Sequence, residues 1–451
     1  MNRIFLTISA VALSCVAASA LDITVTPGSL ANHLPDLRST LDSKVTITGS
    51  ADAGDLTVLG VLSNNVTSID LRNLTVDALP ANMVLGCKNL TDVTLPASLT
   101  EIGDNAFTST GLSKISIPSS VKSIGNSAFA DCLQLTEANY AGTTAPLLGK
   151  NVFKNCTSLC KVSGINSLTI IPEGLFDGCS AMTMTPHEFG DITAIADYAF
   201  RGTAIVSMNL CGAKNIGKFA FAEISTLTEI SLDADVNLGI GVFFKDTLLD
   251  ALPNIVDTPA LALAHGGGAT LHIVSANIGE AAYANNTSTT VLKFGPDVRS
   301  IGAHAFRNNS ALAEIDATAL GSNIPEVDDS AFSGLENDEN RYDIALQIYD
   351  LYTDAWKQHP VWSKFKIESV DPSEIDAVTA GTTISVARNG DRVIADCTEP
   401  IDFIGVYSLD GMTLHESRPG TTGCTVGGIA SENIIVVKIT AANKTKIVKL
   451  K

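Results

Sequence analysis

The sequence predicts a repeat solenoid followed by a small C-terminal β-sandwich, and three observations carry that expectation. A phenylalanine returns every 21 to 26 residues, at Phe107, Phe129, Phe153, Phe176, Phe200, Phe221 and Phe243, and again at Phe306 and Phe332. Tyr283 partly fills the gap, and Val84 and Val61 extend the register backwards. Around these positions a pattern recurs, as in Ile102-Gly103…Ala106-Phe107, Ile124-Gly125…Ala128-Phe129, Ile216-Gly217…Ala220-Phe221 and Ile301-Gly302…Ala305-Phe306. From Thr383 the pattern changes to short alternating strands. Self-similarity at a period of about 23 residues marks coils that cannot bury a core alone and must stack. An array of this kind points to a long binding surface rather than a catalytic cleft.

Residues 1–20 read as a signal peptide. Met1-Asn2-Arg3 is a short positive head, Ile4 to Ala17 is apolar, and Ala18-Ser19-Ala20 has the small-x-small form of a cleavage site. The apolar run is too short to span a membrane. Cys15 raises a lipoprotein alternative, but Ala12-Leu13-Ser14 before it fits that motif poorly. Loss of Arg3 with the leader takes the net charge from −19 to −20. Such a surface repels nucleic acid and anionic lipid and keeps an exported chain dispersed.

Residues 21–55 are expected to cap the array through Gly28-Ser29-Leu30…Leu37…Leu41 and then Val45-Thr46-Ile47-Thr48-Gly49. The array proper covers 56–366. After each Phe a second apolar set follows, as in Leu112, Ile115, Ile117 and Leu227, Ile230, Leu232. Its last two members alternate with a polar residue, which reads as a very short strand with one buried face. Pro96 and Pro118 follow such strands and turn the chain without losing a needed N–H. The stretch from Leu112 through Ile117-Pro118, Ile124-Gly125 and Ala128-Phe129 to Cys132 closely resembles the BspA-type leucine-rich repeat of bacterial surface proteins. That resemblance covers about residues 56 to 366 and implies a leucine-rich repeat array of short parallel strands. The coils at 141–195 and 244–295 depart from it, so bulged coils are expected there. Leu346 to Phe365 carries Trp356 and Trp362 with Tyr349 and Tyr352, which suits an aromatic plug on the open end of the core. Tyr349, Tyr352 and Trp356 would share one face of a helix.

Residues 367–382 read as a linker, and 383–451 as the β-sandwich. Asn389-Gly390 and Asp410-Gly411 between apolar runs are hairpin signals, and about seven short strands fit. Ile404 to Gly411, then Ile434 to Lys438 and the Lys-rich end, resemble the C-terminal sorting domain of type IX secretion cargo. The Gly-x-Tyr usual in that family before the penultimate strand is replaced by Glu432-Asn433.

Chemistry for catalysis is not evident. Cys87, Cys132, Cys156 and Cys179 stand three residues after the Val/Phe position, where other coils carry Thr110, Thr203 and Asn309. A structural column explains them better than a metal site, and no CxxC occurs. Cys397 and Cys424 are candidates for a disulfide. His265 and His272 flank Gly266-Gly267-Gly268, read as an irregular inter-coil loop without a phosphate-loop Lys. Asp233, Asp235 and Asn237 begin like a calcium loop, but Leu238 and Phe244 stand at its turn and closing positions. No cofactor or metal site is expected.

What remains is the outward face of the strands: Asp70, Thr94, Ser116, Asn139, Asn209, Ser231 and Asp316. Beside them runs a second column of Asp92, Lys114, Glu137, Lys161, Glu229 and Glu314. Neither column has an aromatic residue, so a partner would be held broadly rather than by one deep anchor. The expectation is a secreted or cell-surface interaction protein that binds a protein or glycan, and not an enzyme. The family resemblance implies adhesion, to host extracellular matrix proteins or to other bacteria. Two alternatives remain open from sequence: an exported carbohydrate-active β-helix enzyme and a purely structural envelope component.

Overall fold

The computed structural model describes residues 20–41, 43–62, 64–249, 252, 255–370, 384–389, 392–397, 400–408, 413–428, 435–441 and 444–450. The leader assigned to residues 1–20 lies outside these except for Ala20. The chain divides into two compact units, Met1–Ile224 and Ser225–Lys451.

In the first unit, parallel strands stack one per coil. Ala20–Val25, Lys44–Ser50, Ser68–Asp70 and Asp92–Thr94 form one sheet, and Lys114–Ile117, Glu137–Tyr140 and Lys161–Ser163 form the next. The short helix Leu34–Ser39 lies in the N-terminal region that the sequence assigns to a cap, and strand Ala20–Val25 extends that region on its outer side. Two-residue strands make a second row, with Ala78–Leu79, Glu101–Ile102, Ser123–Ile124 and Leu147–Leu148 paired in order. Ile170–Ile171, Ala194–Ile195 and Asn215–Ile216 form a further parallel set.

Between the rows lies the Phe column. Phe107, Phe129, Phe153, Phe176, Phe200 and Phe221 are buried, and successive rings from Phe107 to Phe176 stack with centroids 5.2, 5.7 and 6.0 Å apart. The backbone fixes this spacing. Phe107 N–H donates to Ala128 O, Phe129 to Val152 O and Phe153 to Leu175 O, at 2.8 to 3.1 Å. Each loop bends inward through left-handed residues, Asn105 and Ser109 around Phe107 and Ser127 and Asp131 around Phe129. Asn and Asp tolerate that conformation better than most residues. The repeated Ile-Gly has a steric cause, because a Cβ on Gly125 would lie 2.6 Å from Asp104 N. The cysteine column is structural, as the spacing suggested. Cys132, Cys156 and Cys179 donate from Sγ to Phe107 O, Phe129 O and Phe153 O of the preceding coil at 3.0 to 3.1 Å, whereas Thr110 and Thr203 donate their hydroxyls to Phe107 O and Phe200 O of their own coil. Burial pushes the Cys179 thiol well up, which makes it a poor nucleophile.

Several details differ from the sequence reading. Val61 is 38% exposed at the end of the 3-10 turn Asp55–Val61, and Leu59 turns inward instead. In the irregular stretch between strands Lys161–Ser163 and Ser207–Asn209, where bulged coils were expected, the chain forms a 3-10 turn at Pro186–Phe189, held by a Thr185–Glu188 capping box. Pro186 cannot donate to a sheet ladder. Phe189 then enters the core, 5.1 Å from Phe176 and 6.2 Å from Phe200.

In the second unit the strands Thr270–Ile273, Val291–Phe294, Glu314–Asp316, Ala345–Tyr349 and Lys366–Val370 pair in parallel. The last strand places residues 367–370 in the array, not in the linker; the rest of that predicted linker, 371–382, lies outside the described residues. Leu263, unrecognised in the sequence, occupies the Phe register, with Phe243 N–H donating to Ala262 O and Leu263 N–H to Ala282 O. Tyr283 follows and stacks on Phe306 at 5.6 Å. Its hydroxyl is met by Thr258 and Ser275, whose own oxygens are 2.6 Å apart; burial still pushes its pKa up to about 12. The terminal aromatics form one buried cluster, with Trp356 and Trp362 fully buried and Phe332, Tyr342 and Phe365 packed among them. Its helix is only Thr353–Gln358, so Tyr349 ends a strand and Tyr352 sits in a 3-10 turn, not on one helical face with Trp356.

Among the described residues, seven C-terminal strands form two antiparallel sheets. Ile384–Asn389, Arg392–Cys397 and Gly423–Val426 make one, and Thr413–Ser417, Ile401–Ser408, Ile435–Ala441 and Lys444–Leu450 the other. Cys397 and Cys424 are free thiols. Cys424 pairs with Ala395 in register, so the two cysteines are diagonal rather than opposite. No helix among the described residues is long and apolar enough to cross a membrane.

Replacing Phe129 with Ala is expected to destabilise the array by about 3–5 kcal/mol, because stacked coils cannot close over the cavity. Urea denaturation followed by circular dichroism measures this; an unchanged midpoint would contradict a buried column.

Candidate binding face

The strand face is built by alternation. Along Lys114–Ile117 and Glu137–Tyr140 the first and third residues point outward and the second and fourth into the core. Parallel pairing then aligns outward residues across coils. Asp70 is in register with Thr94, and Ser116 with Asn139 and, through it, Ser163. Asn209 is exposed at the end of Ser207–Asn209 in the same unit. Of the remaining sequence candidates, Ser231 is exposed and Asp316 half-buried, both in the second unit.

These residues are unequal in what they can offer. Asp70 is 6% exposed, held by Lys44 Nζ at 3.2 Å and Arg72 Nε at 3.0 Å. Burial pushes its carboxyl up, but hydrogen bonds from Arg72 and Lys44 outweigh this and hold it below its ordinary value. Asn139 Oδ1 accepts from Ser163 Oγ at 2.7 Å, and Asn209 Oδ1 from the backbone of Cys211 at 2.9 Å. Asp316 Oδ1 accepts from Thr318 Oγ1 and N–H. In the second column Glu137 bridges Lys114 at 3.1 Å and Lys161 at 3.3 Å, which holds its carboxyl below the usual range. Asp92 accepts from Ser68 Oγ at 2.9 Å.

The structure adds His272, which the sequence reading placed in an irregular glycine loop. It lies on strand Thr270–Ile273, exposed, in register with Lys293. Lys293 is in turn in register with Asp316, and Asp316 with Gln347. The signal was present in Thr270-Leu271-His272-Ile273, which alternates as the other strands do, but the preceding glycine run masked it.

Coils of about 23 residues that each present one short strand to a common face, with a two-residue strand in a second row and stacked apolar columns behind, define a leucine-rich repeat protein. The family model described as the BspA type leucine rich repeat region matches in six copies over residues 62–183, 146–252 and 272–369. These matches span more than half of the chain, which belongs to this family. Among solved structures, a leucine-rich repeat protein from Bacteroides ovatus is similar at 20% identity and a TM-score of 0.53, over 78% of this chain and 92% of that one. A leucine rich cell surface protein from Faecalibacterium prausnitzii aligns at 19% identity and 0.35, over 55% and 77%. The pneumococcal vaccine antigen PcpA aligns at 16% and 0.36, over 73% and 79%. No curated protein matches the chain.

The Asp70 ion pairs give a pH dependence with a definite sign. Its carboxyl is depressed on folding, so its contribution is present above the unfolded value near 4 and lost as pH falls through the folded value. Asp70→Asn is therefore expected to lower the urea midpoint at pH 7, and the gap to wild type should narrow towards pH 3. An equal gap at both values would contradict the assignment.

Proposed function

We propose that this chain is an exported, non-catalytic interaction protein whose array holds a macromolecular partner through the outward strand face. The observation that carries this is the face itself: polar side chains aligned across successive coils on a backbone fixed by a buried column. A binding or adhesion role is in keeping with the repeat family. Against a β-helix enzyme, coils of this family present one short strand to the face, and His, Cys, Asp and Glu side chains do not gather on it as a ligand set among the described residues.

Export is the natural reading of the leader, with cleavage after Ala20. The C-terminal sandwich would serve sorting to the surface. Deleting residues 383–451 should leave the array folded and change where the protein accumulates; unaltered surface display would contradict the sorting role.

Asn139→Arg, Asn209→Arg and Ser231→Arg add bulk and charge to the face without touching the core. Against extracellular matrix proteins and glycans as immobilised ligands, each substitution is expected to weaken binding modestly and the triple change strongly, because a broad polar face lacks a dominant anchor. Binding that survives the triple change but falls with matched substitutions on the loop side, or with loss of residues 257–290, would place the site elsewhere.

A further inference from the structure

We propose that recognition centres on the strand face of residues 270–370, and that this face takes an extended polypeptide carrying acidic residues at one end and basic residues at the other. The proposal rests on the strand-face reading above and specifies its partner.

Two adjacent rows build the face. One runs His272, Lys293, Asp316, Gln347, Glu368, and the other Thr270, Val291, Glu314, Ala345, Lys366, each fixed by parallel register. His272, Lys293 and Glu368 are exposed, and Glu314, Asp316 and Gln347 half-buried. Among the described residues, the side chains of His272, Lys293, Glu314 and Glu368 make no hydrogen bond or ion pair. The face of the first unit differs. From Lys44 to Lys161 its charged side chains are held by one another or by a neighbouring hydroxyl: Lys44–Asp70, Ser68–Asp92, and Lys114–Glu137–Lys161. Charges already engaged offer a partner little, whereas unengaged charges gain a counter-ion on binding.

The order of charge selects the kind of partner. His272 and Lys293, a ring donor and a cation, occupy one side of the row, and Glu314, Asp316 and Glu368 the other, where the cation Lys366 is already held by Asp343 at 3.0 Å. A polyanionic chain would meet the carboxylates, and a polycation would meet Lys293; like-charge juxtaposition opposes both. A polypeptide with both signs complements the whole row. Adjacent strands lie about 4.8 Å apart, so three strand steps from Lys293 to Glu368 span about 14 Å. An extended chain covers that with about four residues. Val291, half-buried beside Lys293, and Val274, 42% exposed just past His272, give the acidic end an apolar floor.

The test pans a random 12-residue peptide library on the immobilised full chain, with polygalacturonate as a polyanion control. The selected peptides are expected to place Asp or Glu about three to five residues from Lys or Arg. Lys293→Glu and Glu368→Lys should each weaken them about tenfold or more, with circular dichroism unchanged. Enrichment no greater than on a chain carrying Lys293→Ala and Glu368→Ala overturns the proposal, as do selected peptides without charge order. Binding of polygalacturonate that depends on Lys293 would assign the face to an acidic glycan and also overturn it. If Asn139→Arg and Asn209→Arg abolish peptide binding while Lys293→Glu and Glu368→Lys do not, the strand-face reading stands and this proposal falls. Binding indifferent to all four removes both.

Discussion

Everything in the array depends on the backbone hydrogen bond that ties each Phe-bearing loop to the next coil. Phe129 N–H reaches Val152 O, and the matching bond recurs from coil to coil. It holds successive coils about one strand spacing apart on the loop side while the parallel ladders do so on the strand side. At that spacing every position becomes a column, and a column imposes one chemistry on all its members. Rings stack, thiols and hydroxyls donate to carbonyls of the Phe column, and glycine stands where a Cβ would strike the coil beneath it.

Columns tolerate exceptions only where the exception is compensated. Tyr283 brings a hydroxyl into a place made for Phe, and Thr258 and Ser275 supply its partners. An unpaired buried hydroxyl would cost about 1–3 kcal/mol. Where Pro186 denies a strand its N–H, a capped 3-10 turn takes over and Phe189 fills the space a strand residue would have left. The polar strand face inherits its order from the same register. It gathers residues from coils some 20 residues apart, so its charge pattern is a property of stacking rather than of any local motif.

That dependence explains what could be read from the chain in advance. Recurrence made the Phe, Ile-Gly and Cys/Thr columns legible, since a column repeats its residue type. The sandwich was legible from its short alternating strands; the turn signals at Gly390 and Asp410-Gly411 lie outside the described residues. Leu263 and Val61 were misjudged because size alone does not say which of two neighbouring apolar residues turns inward. The terminal aromatics are buried together, but their helix was overextended, because side-chain spacing does not reveal where a strand ends. At the face, Asp70 looked available until Lys44 and Arg72 were found around it. His272 was hidden by Gly266-Gly267-Gly268. Exposure and pairing on a sheet are set by the neighbouring coils, and a single coil's sequence does not carry them.

The most direct test of the stacked-column account is native-state amide hydrogen exchange at Phe107, Phe129 and Phe153. If their N–H groups hold the coils together, they should exchange only when the unit opens cooperatively, with the same free energy as the strand amide of Ala138. Exchange of these three amides at the rate of the exposed loop around Thr143, with Ala138 still protected, would contradict it.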